Sequence, residues 1–318
     1  MARPPAPAPT TPPGPRRPTA PPSGPAHRRR PSRDRVERRL IALGRPVVLA
    51  GLAAITLGPF LFMLLLSVRP IEDLLLDPGR PWPAPDAVTA DTYREVLRPV
   101  DAGGQGFGTL LANSAGVSLS TVALTLLVAV PGAYAVARFA FPGRRQAQGL
   151  FLAVYLFPSV LLAVPLFVIF ARLGLGGSLP GLVLVYIAQT VPVSVYMLRN
   201  YFTSVPVSVE EAARVDGCSR LGTLWRVTLP LALPSLAATG LYVFMIAWNE
   251  FLFALLFLAA DRELWTVSLG LAQLAGGIEV PKTVLMAGSV VLTVPVVVLF
   301  YLAERLLAEG LTAGAERA

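Results

Sequence analysis

Few residues in this sequence are equipped for covalent chemistry, and that scarcity is the first constraint on function. The chain has a single cysteine, Cys218, and a single histidine, His27. No disulfide framework can form, and a Cys/His metal site is not expected. A Ser/His/Asp or Cys/His relay cannot be assembled from so few nucleophiles and bases. Gly104-Gln105-Gly106-Phe107-Gly108 has the look of a phosphate loop. It follows no strand and lacks the Lys-Ser/Thr of a nucleotide loop, so it reads as a flexible lead-in to the apolar run behind it. No catalytic set, no cofactor and no ATP site are expected on this chain.

The residues that do suggest work lie in EEAARVDGCSRLGTLWRVTLPLALP, residues 210–234. Ser208 and Glu211 have the S-x-x-E spacing of a capping box, which would start a helix. That helix can run only to about Val215, because Asp216-Gly217 supplies a turn or a left-handed cap. Ser219 can then cap a second short helix with Leu221, Leu224, Trp225 and Thr228 on one face. Pro230 is expected to end it, and Pro234 stands at the entry to the next apolar run. The spacing predicts a compact helix-turn-helix knob, too polar to enter a bilayer.

The elements around that knob are apolar. Hydrophobic residues make up 54% of the chain and charged residues 14%, well below the charge content usual for soluble domains. No charge falls between Arg45 and Arg69, Asp101 and Arg138, Arg145 and Arg172, Arg172 and Arg199, or Lys282 and Glu304. Residues 233–258 carry one, Glu250. A bilayer span takes about 20 apolar residues, so six spans are expected: about 46–68, 111–137, 149–171, 180–198, 233–258 and 283–303. The blocks lack the one-sided stripe of a helix on a soluble core. Glu250 in such a run is costly and by default functional, facing the pathway or a partner helix. Asn249 beside it, and Gln189 and Thr190 near the middle of the fourth run, are the other polar candidates for a solute pathway. Asn249 and Glu250 could equally form a polar clasp to a second membrane subunit.

The arginines orient the chain. Eleven lie in the first 45 residues, eight of them after His27. Arg138, Arg144 and Arg145 follow the second run, and Arg199, Arg214, Arg220 and Arg226 follow the fourth. The loop after the first run holds Glu72, Asp73, Asp77, Asp86, Asp91, Glu95 and Asp101. By the positive-inside rule both termini and the 199–232 segment are cytoplasmic. The basic excess is a topology signal and not a nucleic-acid patch. The Pro/Ala/Arg-rich beginning cannot bury a core and is expected to be disordered. Arg38-Arg39-Leu40 has a faint twin-arginine character, but the apolar run behind it is too long for a signal core and no small-x-small cleavage site follows. The first span therefore reads as an anchor.

The 211–234 stretch resembles the EAA loop of the permease subunits of binding-protein-dependent ABC importers. Glu211, Ala212, Ala213, Asp216, Gly217, Pro230 and Pro234 stand in register with that pattern, and Cys218 replaces its usual Ala. AYAVARFAFPGRR at 133–145, LLANS at 110–114, DTYREVL at 91–97, AWNEF at 247–251 and GLTAGA at 310–315 resemble the carbohydrate branch, most like the second permease of the maltose type. Glu250 replaces a more usual Asp. The resemblance implies an all-α integral membrane protein of the type I (MetI-like) permease fold. It implies a disordered cytoplasmic tail at 1–40, a first span and extracellular loop at 41–106, a type-1 transmembrane domain at 107–305, and a cytoplasmic tail at 306–318. It further implies a second, homologous permease, a cytoplasmic ATPase dimer that hydrolyses ATP, and an extracellular sugar-binding protein, all working in the lipid bilayer of the plasma membrane. Glu211, Ala212, Ala213, Asp216, Gly217 and Cys218 would form the ATPase-coupling surface. Glu211 has two compatible roles there, capping its own helix and facing a basic group of the ATPase. The remaining alternatives are an importer of another solute, such as glycerol phosphate or an oligopeptide, and a secondary transporter.

Overall fold

The computed structural model describes residues 31–80, 82–83, 87–277 and 280–315. Most of the disordered tail expected from the sequence, Asp86 and His27 lie outside the described residues. All regular structure among the described residues is helical: α1 Pro31–Ser67, α2 Ile71–Leu76, α3 Asp91–Leu97, α4 Phe107–Arg138, α5 Arg144–Leu156, α6 Ser159–Arg172, α7 Leu179–Ser204, α8 Val207–Val215, α9 Arg220–Thr223, α10 Leu229–Leu231, α11 Leu233–Asn249, α12 Leu252–Leu258, α13 Val267–Gly276 and α14 Lys282–Ala315. Four helices are long and apolar enough to cross a membrane, in α1, α4, α7 and α14. The number rises to six if each of two bent pairs, α5 with α6 and Arg220–Leu231 with α11, is one span.

The chain divides into two compact units, up to Leu57 and from Gly58 onward. In the first, α1 is helical already from Pro31, and Val47, Leu49 and Ile55 are exposed. The second holds everything else. Its outer surface is apolar, with Leu127, Leu161, Val164 and Val297 exposed, and its inner seams carry small hydroxyls. Ser114, Ser118, Thr121 and Thr125 repeat every three or four residues along α4, and all are buried. Thr125 meets Thr190 of α7 at 2.9 Å between hydroxyls. Small residues let backbones approach where hydrocarbon surrounds the helices and the hydrophobic effect no longer distinguishes inside from outside.

Two of the expected spans are interrupted. The run at 149–171 is expected as one helix but forms two, α5 and α6, bent by 94°. Pro158 is the N-cap of α6; it offers no N–H to α5 and pushes Phe157 out of the helical region. The run at 233–258 ends as helix at Asn249 and resumes at Leu252. The glycine-rich stretch is also not the flexible lead-in expected of it. Gly104 N–H donates to Pro99 O at 2.9 Å, Gln105 N–H to Glu95 O at 3.0 Å and Gly106 N–H to Arg98 O at 2.8 Å. A Cβ on Gly104 would stand 2.2 Å from Arg98 O, so glycine here permits a close backbone approach that fixes α3 against the start of α4.

Between α1 and α3 the chain wraps round one buried cation. Arg69 is 1% exposed; it donates to the Asp73 carboxylate at 2.6 Å and to the carbonyls of Asp73, Asp77 and Arg80. A buried charge persists only when paired and hydrogen-bonded, and these four acceptors fix residues 69–80. Asp91, at the head of α3, accepts from the Thr89 hydroxyl at 2.7 Å and from Arg94 at 2.6 Å. Those bonds hold its carboxyl below the ordinary aspartate range.

Candidate coupling and pathway sites

α8 begins at Val207 with Pro206 as its N-cap, and no side chain caps it. The expected Ser208–Glu211 capping box is therefore not formed. With helix starting at Val207, Ser208 is already inside the first turn, where its hydroxyl cannot serve as an N-cap. Glu211 is left exposed on the outer face. The other end closes as a Schellman motif. Cys218 N–H donates to Ala213 O and Gly217 N–H to Arg214 O, both at 3.0 Å, and Gly217 has φ +87°. Ser219 caps α9, its hydroxyl accepting from Gly222 N–H at 3.1 Å.

Pro230 does not end the following helix. A π turn at Leu224–Thr228 precedes it, in which Leu229 N–H donates to Leu224 O, and α10 carries the helix to Leu231. A π turn widens the helix where a proline ring would collide with the carbonyl four residues back. The same change of pitch splits the expected shared face. Leu224 and Thr228 turn inward and are buried, while Leu221 and Trp225 are 66% and 53% exposed. Ala213 is buried and Ala212 exposed. The outward side of this unit thus presents Glu211, Ala212, Val215, Asp216, Gly217, Leu221 and Trp225, with Cys218 half-buried. Large apolar side chains are thus exposed here beside polar ones.

The inward side rests on a residue that the sequence alone does not single out. Glu210 is fully buried. Its Oε1 accepts from Arg138 Nε at 2.8 Å and from the Thr228 hydroxyl at 3.2 Å; its Oε2 accepts from the Tyr134 hydroxyl at 3.0 Å. Arg214 stands 3.9 Å from Oε2. Arg138, at the end of α4, spends a further N–H on Val205 O at 2.9 Å. The Glu210–Arg138 pair thus joins α4, the end of α7, α8 and the π turn. The available signal is helical spacing: Glu210 and Ala213, three apart, share the buried face of α8. Its partner Arg138 is 72 residues away.

Glu250 occupies the break between α11 and α12. Its carboxylate accepts from the Phe253 and Ala254 amides at 2.8 and 3.1 Å, so it caps α12, a favourable place for negative charge. The Tyr186 hydroxyl of α7 donates to it at 2.7 Å. Its own carbonyl accepts from the Ser268 hydroxyl of α13 at 2.6 Å. Thr190 is buried between α7 and α4 and also donates to Tyr186 O at 2.8 Å. Gln189 is half-buried, and its Nε2 has no partner among the described residues. Asn249 is exposed, its amide turned back onto Met245 O at 2.9 Å. Gln189 and Thr190 thus sit on α7, and Asn249 and Glu250 at the end of α11. Tyr186 links the two places, bonding to Glu250 through its hydroxyl and to Thr190 through its carbonyl. Among the described residues no cluster of three or more His, Cys, Asp or Glu could hold a metal ion.

The described residues thus form an apolar helical body that carries a small polar unit at residues 207–231 and a helix break capped by Glu250. Residues 128–312 match the family described as binding-protein-dependent transport system inner membrane component, and the chain belongs to that family. It is a multi-pass membrane protein of the ABC importer permease class. It is 35% identical over 278 residues to the inner membrane ABC transporter permease protein YcjP of Escherichia coli, covering 87% of this chain and 97% of that one. It is 36% identical to the trehalose transport system permease protein SugB of Mycobacterium tuberculosis over 81% of this chain and 91% of that protein. Among solved structures it superposes with a TM-score of 0.70 on a chain of a bacterial ABC transporter involved in the import of the acidic polysaccharide alginate. That chain is 25% identical, with 85% of this chain and 97% of that chain covered.

Proposed function

We propose that this chain forms half of the transmembrane pathway of an ATP-driven importer of a sugar or oligosaccharide, and that residues 207–231 are its docking knob on a cytoplasmic ATPase. The observation that carries the coupling role is the two-sidedness of that unit: Glu210 binds it inward to α4, while Glu211, Ala212, Val215, Leu221 and Trp225 face outward. The sugar assignment is supported by the trehalose and alginate systems among its relatives. The proposed chain crosses the plasma membrane six times with both termini and the knob cytoplasmic, a topology that the arginine distribution supports. It pairs with a second, homologous permease and two ATPase subunits, and an extracellular binding protein delivers the solute. It carries no hydrolytic activity itself.

In this mechanism, closure of the ATPase pair moves the docked α8. The Schellman turn at Gly217 and the capped α9 make the knob stiff, and the Glu210–Arg138 bond passes the displacement to the end of α4. Pathway residues are proposed at the α7–α11 level: Gln189 and Asn249 offer amides, and Glu250 with Tyr186 sets the shape of the broken span. Thr190, bonded to Thr125 and Tyr186, is proposed to hold the wall of that pathway. The test is purification and transport. The tagged chain should bring down a second permease and an ATPase, and proteoliposomes should accumulate sugar only with ATP and the binding protein. Ion-driven uptake without an ATPase would establish a secondary transporter instead. A binding protein that takes glycerol phosphate or a peptide and no sugar would reassign the solute.

A further inference from the structure

A second site lies away from both the knob and the pathway candidates. Phe141, Gly143, Arg144, Arg145, Gln148 and Arg199 line a shallow, open cavity of about 420 Å³ where α4, α5 and α7 come together. An adjoining cavity of about 250 Å³ shares Arg145, Gln148 and Arg199 and continues along Val136, Phe151, Leu152, Val195 and Tyr196. Three guanidinium groups thus converge with no carboxylate in either lining. The Nε atoms of Arg144 and Arg199 are buried and have no partner among the described residues. Their other contacts are neutral, Arg144 donating to Ala137 O at 3.1 Å and Arg199 to Asn200 Oδ1 at 3.1 Å. No side chain caps the N-terminus of the 13-residue α5, which opens at Gly143 in the same cavity. Its amides add positive potential.

The site is amphiphilic in a definite order. Arg145 opens one charge-free run and Arg199 closes another, so the arginines stand where hydrocarbon begins. The second cavity extends from them along apolar side chains. A free phosphate would use only the first cavity; the pair fits a molecule with an anionic head and an acyl chain. We propose that this is a binding site for an anionic phospholipid, its phosphate held by Arg144, Arg145 and Arg199 and one chain laid against Phe151, Leu152 and Tyr196. Basic pockets between transmembrane helices at the membrane surface are suited to such headgroups. The proposal stands independently of the solute and of the coupling role of α8.

The experiment uses the intact transporter complex, purified and exchanged into mixed phosphatidylglycerol and phosphatidylcholine, with retained lipid read by native mass spectrometry. Each arginine near a lipid surface contributes about fivefold, so a preference for phosphatidylglycerol on the order of 100-fold is expected. The combined R144Q/R145Q/R199Q variant should lose it, whereas R144K/R145K/R199K should keep most of it. Photoactivatable phosphatidylglycerol on the unmodified complex provides a test that needs no variant. It should label peptides within residues 144–152 or 195–199. Equal retention of the two lipids, labelling confined to other regions or to the partner permease, or full displacement by excess inorganic phosphate would each overturn the assignment.

Discussion

Replacing Glu210 by Gln separates a mechanical role for this carboxylate from a merely local one. The substitution keeps the volume and removes one charge from a site where Glu210 is 1% and Arg138 8% exposed. Removing one partner of a buried ion pair leaves the other charge uncompensated, at a cost of about 3–5 kcal/mol. Val205 O still accepts from Arg138, which places the expected loss toward the lower end of that range. The double variant R138M/E210M removes both charges and most of the desolvation cost with them. The comparison is made in a Y134F/T228V background, because each hydroxyl left without its acceptor would otherwise cost about 1–3 kcal/mol; Val205 O still loses its donor, so recovery should be partial. Unfolding midpoints of the purified complex, and ATP-driven uptake in proteoliposomes, give the two readouts. E210Q should lower the midpoint and uncouple ATP hydrolysis from uptake; R138M/E210M should regain stability relative to E210Q without regaining coupling. An E210Q transporter with unchanged midpoint and uptake would refute the reasoning. Full coupling in the double variant would show that the pair stabilises the chain but transmits nothing.

The other predictions concern the turn, the thiol and the break. Gly217→Val places a β-branched residue at φ +87°, where an L-residue is disfavoured by about 1–2 kcal/mol or more; membrane insertion, followed by protein level, should persist while uptake is lost, and Gly217→Asn should be milder. Cys218 should resist a membrane-impermeant maleimide in intact cells and react in inverted vesicles stripped of the ATPase, more slowly once the ATPase is restored; prompt labelling from outside would invert the topology. Glu250→Gln removes the charge from the two amide bonds that cap α12 and from the Tyr186 contact, weakening each by about half. The expected result is lower uptake at normal complex yield, and unaltered transport kinetics would remove Glu250 from the pathway.

What the sequence reveals and what it hides follow from the range of the interactions concerned. Charge-free runs and glycine in a left-handed cap are local properties, so the long apolar helices and the turn at Gly217 are legible in the order of residues alone. The start of α8 is not, because Pro206 takes the N-cap position and turns Ser208 into an interior residue. The Glu210–Arg138 pair is hidden for a different reason. The first is a two-residue error in a local boundary; the second is a contact invisible to any local rule. Glu210 and Glu211 are adjacent and chemically identical, yet a helix turns consecutive side chains about 100° apart. One faces Arg138, delivered by α4 from a distant part of the chain, and the other faces outward. The EAA pattern draws the eye to the exposed carboxylate, while the carboxylate that joins the knob to the membrane body precedes it. A docking surface can transmit force only if its opposite side is anchored, and an anchor made of a buried ion pair is more sensitive to the loss of one partner than to the loss of both. That asymmetry is why the paired and single substitutions at Arg138 and Glu210, taken together, test the coupling mechanism more sharply than any change on the exposed face.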